Sequence, residues 1–178
     1  MRDVSFDLNG HGKGSAPEKQ RLNYDRDYAI KPEDPTDDDY KFLGWSETQT
    51  PATPFVPFDF TTTKITDQKD TTFYAIWAEK DTLSQANFAV EVLDNKLGKG
   101  NVPQFTYDGS AKTATASGTY GDDNKTIPSS DIIVKYYELD ENGNPKDGGT
   151  TNAPSKVGHY LVKLNVTQSN DYKAAKDL

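Results

Sequence analysis

Three oxygen-bearing side chains in the second half of the chain have the spacing of a calcium-binding loop. Asp140, Asn142 and Asn144 would occupy its first, third and fifth positions. An EF-hand loop also needs glycine at the sixth position and a bidentate glutamate at the twelfth. Those positions hold Pro145 and Thr151. The three residues are therefore weak metal candidates, and a hairpin turn is the preferred interpretation because an Asn-Gly dipeptide readily adopts positive φ.

A second group of oxygen ligands lies in the first half of the chain. Five carboxylates occur within residues 33–39: Glu33, Asp34, Asp37, Asp38 and Asp39. Hard cations prefer such oxygens, and this cluster could bind one adventitiously. Neighbouring carboxylates in a polar connector usually point into solvent. We therefore predict a solvated turn here and assign no metal site.

The sequence contains no recognisable catalytic constellation. His11 and His159 are the two histidines, and neither has neighbours at the spacing of a zinc site or a catalytic triad. There is no cysteine, which excludes disulfides and thiolate chemistry. The glycines at Gly10, Gly12 and Gly14 lack the following helix of a phosphate-binding loop. We expect neither an enzyme nor a bound cofactor.

Composition narrows the class of protein further. The net charge is −8, and no apolar run approaches the length of a membrane-spanning helix. Nucleic-acid binding requires a basic surface that this composition does not offer. We expect a monomer with no nucleic-acid partner and no membrane insertion. Met1-Arg2-Asp3 leads directly into a strand pattern, so any export signal or anchor is expected outside these residues.

Large aromatic residues concentrate between residues 40 and 77. Trp45, Trp77 and five of the eight phenylalanines lie in this stretch. Each aromatic side chain buries about 150–250 Å², which indicates the core of a small β-rich domain. The tryptophans could alternatively form a sugar-binding platform, but a domain of about 80 residues needs its largest aromatics inside.

Alternating apolar and polar residues predict short strands along the whole chain. In the first half they fall at residues 4–8, 20–24, 40–48 and 71–78, with a polar turn at 25–27. In the second half they fall at 88–93, 111–117, 132–139 and 159–166, and residues 105–109 are predicted as a strand end with a turn. Residues 81–86 are polar and without a clear period. We therefore predict two tandem β domains, 1–80 and 87–178, joined by a linker at 81–86.

Tyr136 and Tyr137 are the candidate binding residues. They are consecutive within the strand predicted at 132–139. Successive side chains of a strand point to opposite faces, so one of the two should be exposed. That tyrosine could contact a host or cell-wall glycan or protein.

Motifs of the first half occur in a recognisable order. They are Val4-x-Phe6-Asp7-x-Asn9-Gly10, Pro32-x-x-Pro35-Thr36, Tyr40-x-Phe42-x-Gly44-Trp45, Phe58-Asp59-Phe60 and Thr72-Phe73-Tyr74-Ala75-Ile76-Trp77. Over roughly residues 3–78 this stretch resembles the Listeria–Bacteroides repeat, also called the internalin B-repeat. The resemblance implies a small β-grasp-like domain of a bacterial surface protein.

Motifs of the second half resemble a different group of repeats. They are Tyr107-Asp108-Gly109-x-x-Lys112, Tyr136-Tyr137 before Asp140-x-x-Gly143, Pro154-x-x-x-Gly158-x-Tyr160-x-Val162 and Asn170-x-Tyr172-x-Ala174-Ala175. Over roughly residues 87–176 the chain is similar to the MBG or Ig-like repeats of bacterial surface proteins. This resemblance implies an Ig-like β-sandwich, with a β-grasp variant left open. The expected fold class is mainly β.

Together the two resemblances imply a function and a location. They imply a non-catalytic repeat segment of a bacterial cell-surface or secreted protein, acting as a stalk or spacer and in adhesion. Two alternatives stay open. One is a specific binding module for a glycan or a host protein. The other is an accessory region of a secreted glycan-degrading enzyme. All three place the chain outside the cell.

Overall fold

The computed structural model describes residues 1–23, 28–63, 65, 69–98 and 102–178. These residues form ten strands and two short 3₁₀ turns and contain no α-helix. The mainly-β prediction is thereby confirmed. The chain divides into two compact units, Met1–Lys80 and Asp81–Leu178. The turn predicted at 25–27 lies outside the described residues.

The first unit is built on one mixed sheet. Its strands are β1 (Arg2–Asp7), β2 (Gln20–Leu22), β3 (Tyr40–Ser46) and β4 (Thr71–Glu79). They lie in the order β2-β1-β4-β3. The central pair, β1 and β4, is parallel, with Phe6 opposite Phe73, and both outer pairs are antiparallel. A parallel pair requires a long crossover, which the chain between β1 and β4 supplies together with β2 and β3.

The core of the first unit lies on one face of this sheet. Val4, Phe73 and Ala75 are fully buried there, and Trp45 is 1% exposed. The Trp45 ring packs edge-on against Phe6, with ring centroids 5.1 Å apart. Such edge-to-face pairs add about 0.5–1.5 kcal/mol beyond burial. Trp45 is therefore a core residue, because a ring this deeply buried cannot stack on a sugar.

The second unit contains two antiparallel sheets. One has the order β6-β5-β7-β8, and the other pairs β9 with β10. The strands are β5 (Phe88–Val92), β6 (Asn95–Lys96), β7 (Ala114–Tyr120), β8 (Lys125–Thr126), β9 (Ile132–Glu138) and β10 (Tyr160–Val166). The 3₁₀ turns are Gln85–Asn87 and Ser129–Asp131. Residues 105–109 were predicted as a strand end with a turn. The strand part is wrong, because residues 105–108 are irregular, but the turn is present: Gly109 has a φ of +77° and the Asp108 carboxylate accepts the Ser110 N–H at 2.8 Å.

Both sheets contribute to the core of the second unit. One cluster joins Val92 of β5, Ala114 of β7 and Tyr136 of β9, with Val162 of β10 packed against them. Each strand contributes the apolar side of its alternating pattern to this core. The finer domain types inferred from sequence, β-grasp-like for the first unit and Ig-like for the second, stay predictions.

Residues 81–86 form part of the second unit, which corrects the predicted linker. Leu83 is 7% exposed and lies in a core cluster with Ile127, Val166 and Tyr172. The backbone N–H of Asp81 donates to the carbonyl of Asp171 at 2.9 Å. The polar composition of the segment concealed its one buried leucine, which packs in the core while Asp81 pairs with the chain at residues 171–173.

Candidate functional site

The structure brings the three weak metal candidates together in a hairpin turn. The Asp140 carboxylate accepts the backbone N–H groups of Asn142 and Asn144, at 2.9 and 2.8 Å. The Asp140 N–H donates to the Asn144 carbonyl at 2.8 Å. The hydrogen bonds from Asn144 and then Asn142 hold the pKa of Asp140 below its ordinary value. This carboxylate therefore serves the turn.

Flanking residues close the same hairpin. Leu139 and Pro145 form an antiparallel bridge, and Lys146 donates its backbone N–H to the Glu138 carbonyl at 2.9 Å. Across the part of the chain that the structure describes, no group of three or more histidine, aspartate or glutamate side chains is arranged to hold a metal ion. The geometry here is that of a turn.

Asp37, in the carboxylate cluster of residues 33–39, accepts three backbone hydrogen bonds. Its Oδ2 accepts the Gly12 N–H at 2.8 Å, and its Oδ1 accepts the N–H groups of Asp39 and Tyr40 at 2.8 and 3.0 Å. These bonds, that from Gly12 foremost, lower the pKa of Asp37 below its ordinary 3.8. Buried Lys80 donates from Nζ to the Asp37 carbonyl at 2.8 Å. Asp37 thus fastens the glycine-rich turn to the start of β3.

The two histidines belong to different units and make different contacts. The His11 ring lies against the Tyr40 ring, with centroids 3.8 Å apart. His159 is exposed, and its carbonyl accepts the Leu139 N–H at 2.8 Å. His11 belongs to the packing around the glycine-rich turn, and the described contact of His159 is a backbone bond to the segment that follows β9.

The expectation that Tyr136 or Tyr137 is exposed is wrong. Their exposed fractions are 4% and 8%. Tyr136 points into the core, where its hydroxyl accepts the Ala114 N–H at 2.7 Å. Tyr137 points to the opposite face, as alternation requires. That face is covered as well. Two consecutive strand residues point to opposite faces, but this does not require either face to be exposed to solvent.

A returning chain segment covers Tyr137. A Cβ placed on Gly149 would lie 2.6 Å from the Tyr137 ring, so only glycine allows the backbone this close. The ammonium group of Lys163 lies 5.3 Å from the ring centroid, within cation–π range. The Gly148-Gly149 pair after the Asn-Gly turn was the sequence signal for this close approach. Neither tyrosine can act as an exposed binding anchor.

An apolar cleft of about 1230 Å³ opens within the second unit. Its walls include apolar side chains of β5, of β10 and of the irregular segment before β7: Phe88, Val90, Val92, Phe105, Val162 and Leu164. Small-molecule sites usually enclose about 300–1,000 Å³ and present a few convergent polar groups. This cleft is larger, and its lining also includes polar side chains such as Gln85, Lys112 and His159.

A smaller groove of about 500 Å³ lies in the first unit. It is lined by Leu43, Phe55, Ile76 and Trp77 together with prolines of the loop that follows β3. Trp77 is half-buried, and its indole N–H donates to the Leu8 carbonyl at 2.8 Å. Unlike Trp45, Trp77 therefore offers part of its ring to this groove.

Both units are therefore small β domains. The carboxylates considered as metal ligands, Asp37 and Asp140, instead accept backbone N–H groups of turns. Residues 3–76 match the family model of the Listeria-Bacteroides repeat domain, which confirms the resemblance predicted for roughly 3–78. This repeat family is typical of bacterial surface and secreted proteins. No significant match was found among curated proteins or among solved structures. The similarity of the second half to MBG or Ig-like repeats stays a prediction.

Among the described residues, no helix has the length and hydropathy needed to cross a membrane.

Proposed function

We propose that this chain is a non-catalytic spacer segment of a bacterial surface or secreted protein and works outside the cell. The observation that carries the proposal is the match of residues 3–76 to a repeat family typical of such proteins. The spacer role is a geometric one, in which folded units hold neighbouring parts of a protein away from the cell wall.

The chemistry of the described polar groups supports a structural role. Asp37 and Asp140 accept backbone N–H groups of their own turns. Buried Lys80 donates to a backbone carbonyl. A catalytic carboxylate or amine would instead have to reach a substrate-sized space with a partner group. These charged groups hold the backbone of turns in the first and second units.

A second candidate function is recognition of a glycan or a host protein, which would make the segment an adhesive one. Two observations favour it: the partly accessible Trp77 in the groove of the first unit, and Tyr107, 65% exposed, among the residues that line the cleft. An accessory role beside a glycan-degrading catalytic domain would use the same surfaces.

The test is a binding screen of the 178-residue protein against a glycan array and a panel of extracellular host proteins. Tyr107→Ser removes an exposed aromatic ring among the cleft residues, and Val56→Ser, at a position 80% exposed and outside the cleft, is the matched control. Saturable binding that Tyr107→Ser abolishes and Val56→Ser retains would replace the spacer proposal with the recognition proposal. A Tyr136→Ala, Tyr137→Ala variant is unsuitable, because it removes two buried rings and weakens the fold itself.

The spacer proposal also makes a positive prediction. A reporter epitope joined ahead of residue 1 and anchored to a cell wall through the other end should be accessible to antibody. Deleting the segment should reduce that access, and an unrelated folded spacer of similar length should restore it. Full access after deletion, with equal amounts of protein on the surface, would contradict the spacer role.

A further inference from the structure

Two Asn-Gly dipeptides occur in the chain, Asn9-Gly10 in the first unit and Asn142-Gly143 in the second. Asparagine before glycine is prone to spontaneous deamidation, because no side chain on the glycine hinders the approach of its backbone nitrogen to the asparagine carboxamide. The dipeptide alone does not distinguish the two sites. The glycines do not distinguish them either, since their φ angles are +84° and +80° and an added Cβ would meet nothing within 4 Å at either position.

The Asn9 carboxamide is held by two hydrogen bonds. Its Nδ2 donates to the carbonyls of Gln49 and Ala75, each at 3.1 Å, and the residue is half-buried. This nitrogen is the group that deamidation expels, and the two carbonyls belong to β4 and to the loop after β3. Attack by the Gly10 nitrogen requires the carboxamide to leave both partners, so the folded first unit opposes the reaction.

The Asn142 carboxamide is not held in this way. Asn142 is exposed, and its backbone N–H, not its side chain, donates to the Asp140 carboxylate at 2.9 Å. Among the described residues, its side chain has no hydrogen-bond partner. The Gly143 N–H donates to the Asp140 carbonyl at 3.0 Å. Reaction at this site therefore has to release one bond, in an exposed turn of a kind that opens locally at little cost.

We propose that Asn142 is a site of spontaneous deamidation in the folded protein, with water as the co-reactant. The Gly143 backbone nitrogen loses its proton to solvent base and attacks Cγ of the Asn142 carboxamide. The new C–N bond closes a cyclic imide, and Nδ2 takes up a proton and leaves as ammonia. Water then cleaves either C–N bond of the imide ring, which gives aspartate or isoaspartate at position 142.

The reaction changes the hairpin turn after β9 irreversibly. Either product replaces a neutral amide with a carboxylate close to Asp140 in sequence, so two like charges then share one exposed turn. Isoaspartate also directs the main chain through the side-chain carbon, which lengthens the link between residues 142 and 143. The hydrogen bonds from Asn142 and Asn144 to Asp140 depend on that spacing.

The unaltered 178-residue protein provides its own control. It is incubated in mildly alkaline buffer made with heavy-oxygen water, which marks every residue that deamidates during the incubation. It is then digested with trypsin, and the peptides Asp3–Lys13 and Tyr136–Lys146, which contain one Asn-Gly dipeptide each, are quantified over time by mass spectrometry. Asn144 in the second peptide precedes Pro145, whose nitrogen carries no hydrogen and cannot form the imide.

We expect Asn142 to deamidate about tenfold faster than Asn9 in the folded protein, with Asn144 unchanged. The reason is that Asn9 must give up two hydrogen bonds of its side chain, whereas the reaction at Asn142 releases the bond of Gly143 alone. In guanidinium chloride sufficient to unfold both units, the rates at Asn9 and Asn142 should converge, because these bonds are then absent.

Three results would overturn the proposal. Equal rates at Asn9 and Asn142 in the folded protein would mean that the carboxamide bonds of Asn9 give no protection. An Asn142 that is stable in the folded protein but reactive after unfolding would mean that the Gly143 bond keeps the turn closed. A tenfold difference that persists in guanidinium chloride would assign the selectivity to neighbouring residues in the sequence and not to the fold.

Discussion

Replacing Tyr172 with phenylalanine should weaken the second unit in a way that depends on pH. Tyr172 is 2% exposed, and its hydroxyl donates to the Asp131 carboxylate at 2.5 Å. A hydrogen bond to a charged group contributes about 1.5–3 kcal/mol. Asp131 is only half-buried, so we expect a loss near the lower limit, about 1.5 kcal/mol.

The pH dependence follows from the ionisation of the same hydroxyl. Burial, and then the bond to Asp131, raise the pKa of Tyr172 from 10.0 to about 12. The unfolded chain therefore releases this proton at a lower pH than the folded chain does. The stabilisation is complete below pH 10 and is lost as the pH rises from 10 to 12. At one pH unit above 10 the loss amounts to about 1.4 kcal/mol.

The assay must report on the second unit, since both tryptophans lie in the first. Urea unfolding is followed by near-ultraviolet circular dichroism at pH 8 and pH 11, and tryptophan fluorescence of the same samples identifies the transition of the first unit, which contains four of the ten tyrosines. At pH 8 the midpoint of Tyr172→Phe should lie about 1 M urea below that of the parent protein. At pH 11 the two midpoints should nearly coincide. Tyr107→Phe, at an exposed position, is the control and should match the parent at both pH values.

One result would refute the reasoning directly. If the gap between Tyr172→Phe and the parent protein is the same at pH 11 as at pH 8, the hydroxyl does not ionise in linkage with folding. No gap at pH 8 would instead mean that the bond to Asp131 adds nothing to stability.

Three further predictions concern single contacts. Asp37→Asn should lower the stability of the first unit by about 1 kcal/mol. It should also remove part of the loss seen as the pH falls below 3.8, in urea unfolding followed by tryptophan fluorescence. Gly44→Ala should lower the free energy of unfolding of the first unit by about 1–3 kcal/mol in the same assay. The reason is that the φ of Gly44 is +141° and the new Cβ would lie 2.6 Å from the Pro57 side chain. Tyr136→Phe should leave the buried Ala114 N–H unpaired and cost the second unit about 1–3 kcal/mol, measured by circular dichroism.

The strands with strong alternation of large apolar side chains could be predicted from sequence. The segments predicted at 40–48, 71–78, 132–139 and 159–166 correspond to β3, β4, β9 and β10. Their alternation is legible because one face of each strand must be buried. Residues 105–109 also alternate, but Phe105 serves the cleft wall from irregular backbone. Alternation at 105–109 thus produced neither a strand nor a buried face, since Phe105 is half-buried and Tyr107 is 65% exposed.

Sequence reasoning failed where burial depends on distant backbone. Tyr137 is covered by the segment at Gly149, and local alternation contains no information about that segment. The turn at Asp140 was predicted because Asn-Gly chemistry is local. The pairing of Leu178 with Leu164 and the cleft beside it could not be predicted, since both arise from the packing of strands distant in sequence.

The parallel pairing of β1 with β4 has a mechanical consequence. β1 begins at Arg2 and β4 ends at Glu79, so the two ends of the first unit leave the central pair in opposite directions. Tension along the chain therefore slides the two strands past each other. The hydrogen bonds between Val4–Asp7 and Thr71–Tyr74 then carry the load simultaneously, where a hairpin pulled from its open end would lose them one at a time. A tethered protein built from such a unit resists stretching through its topology.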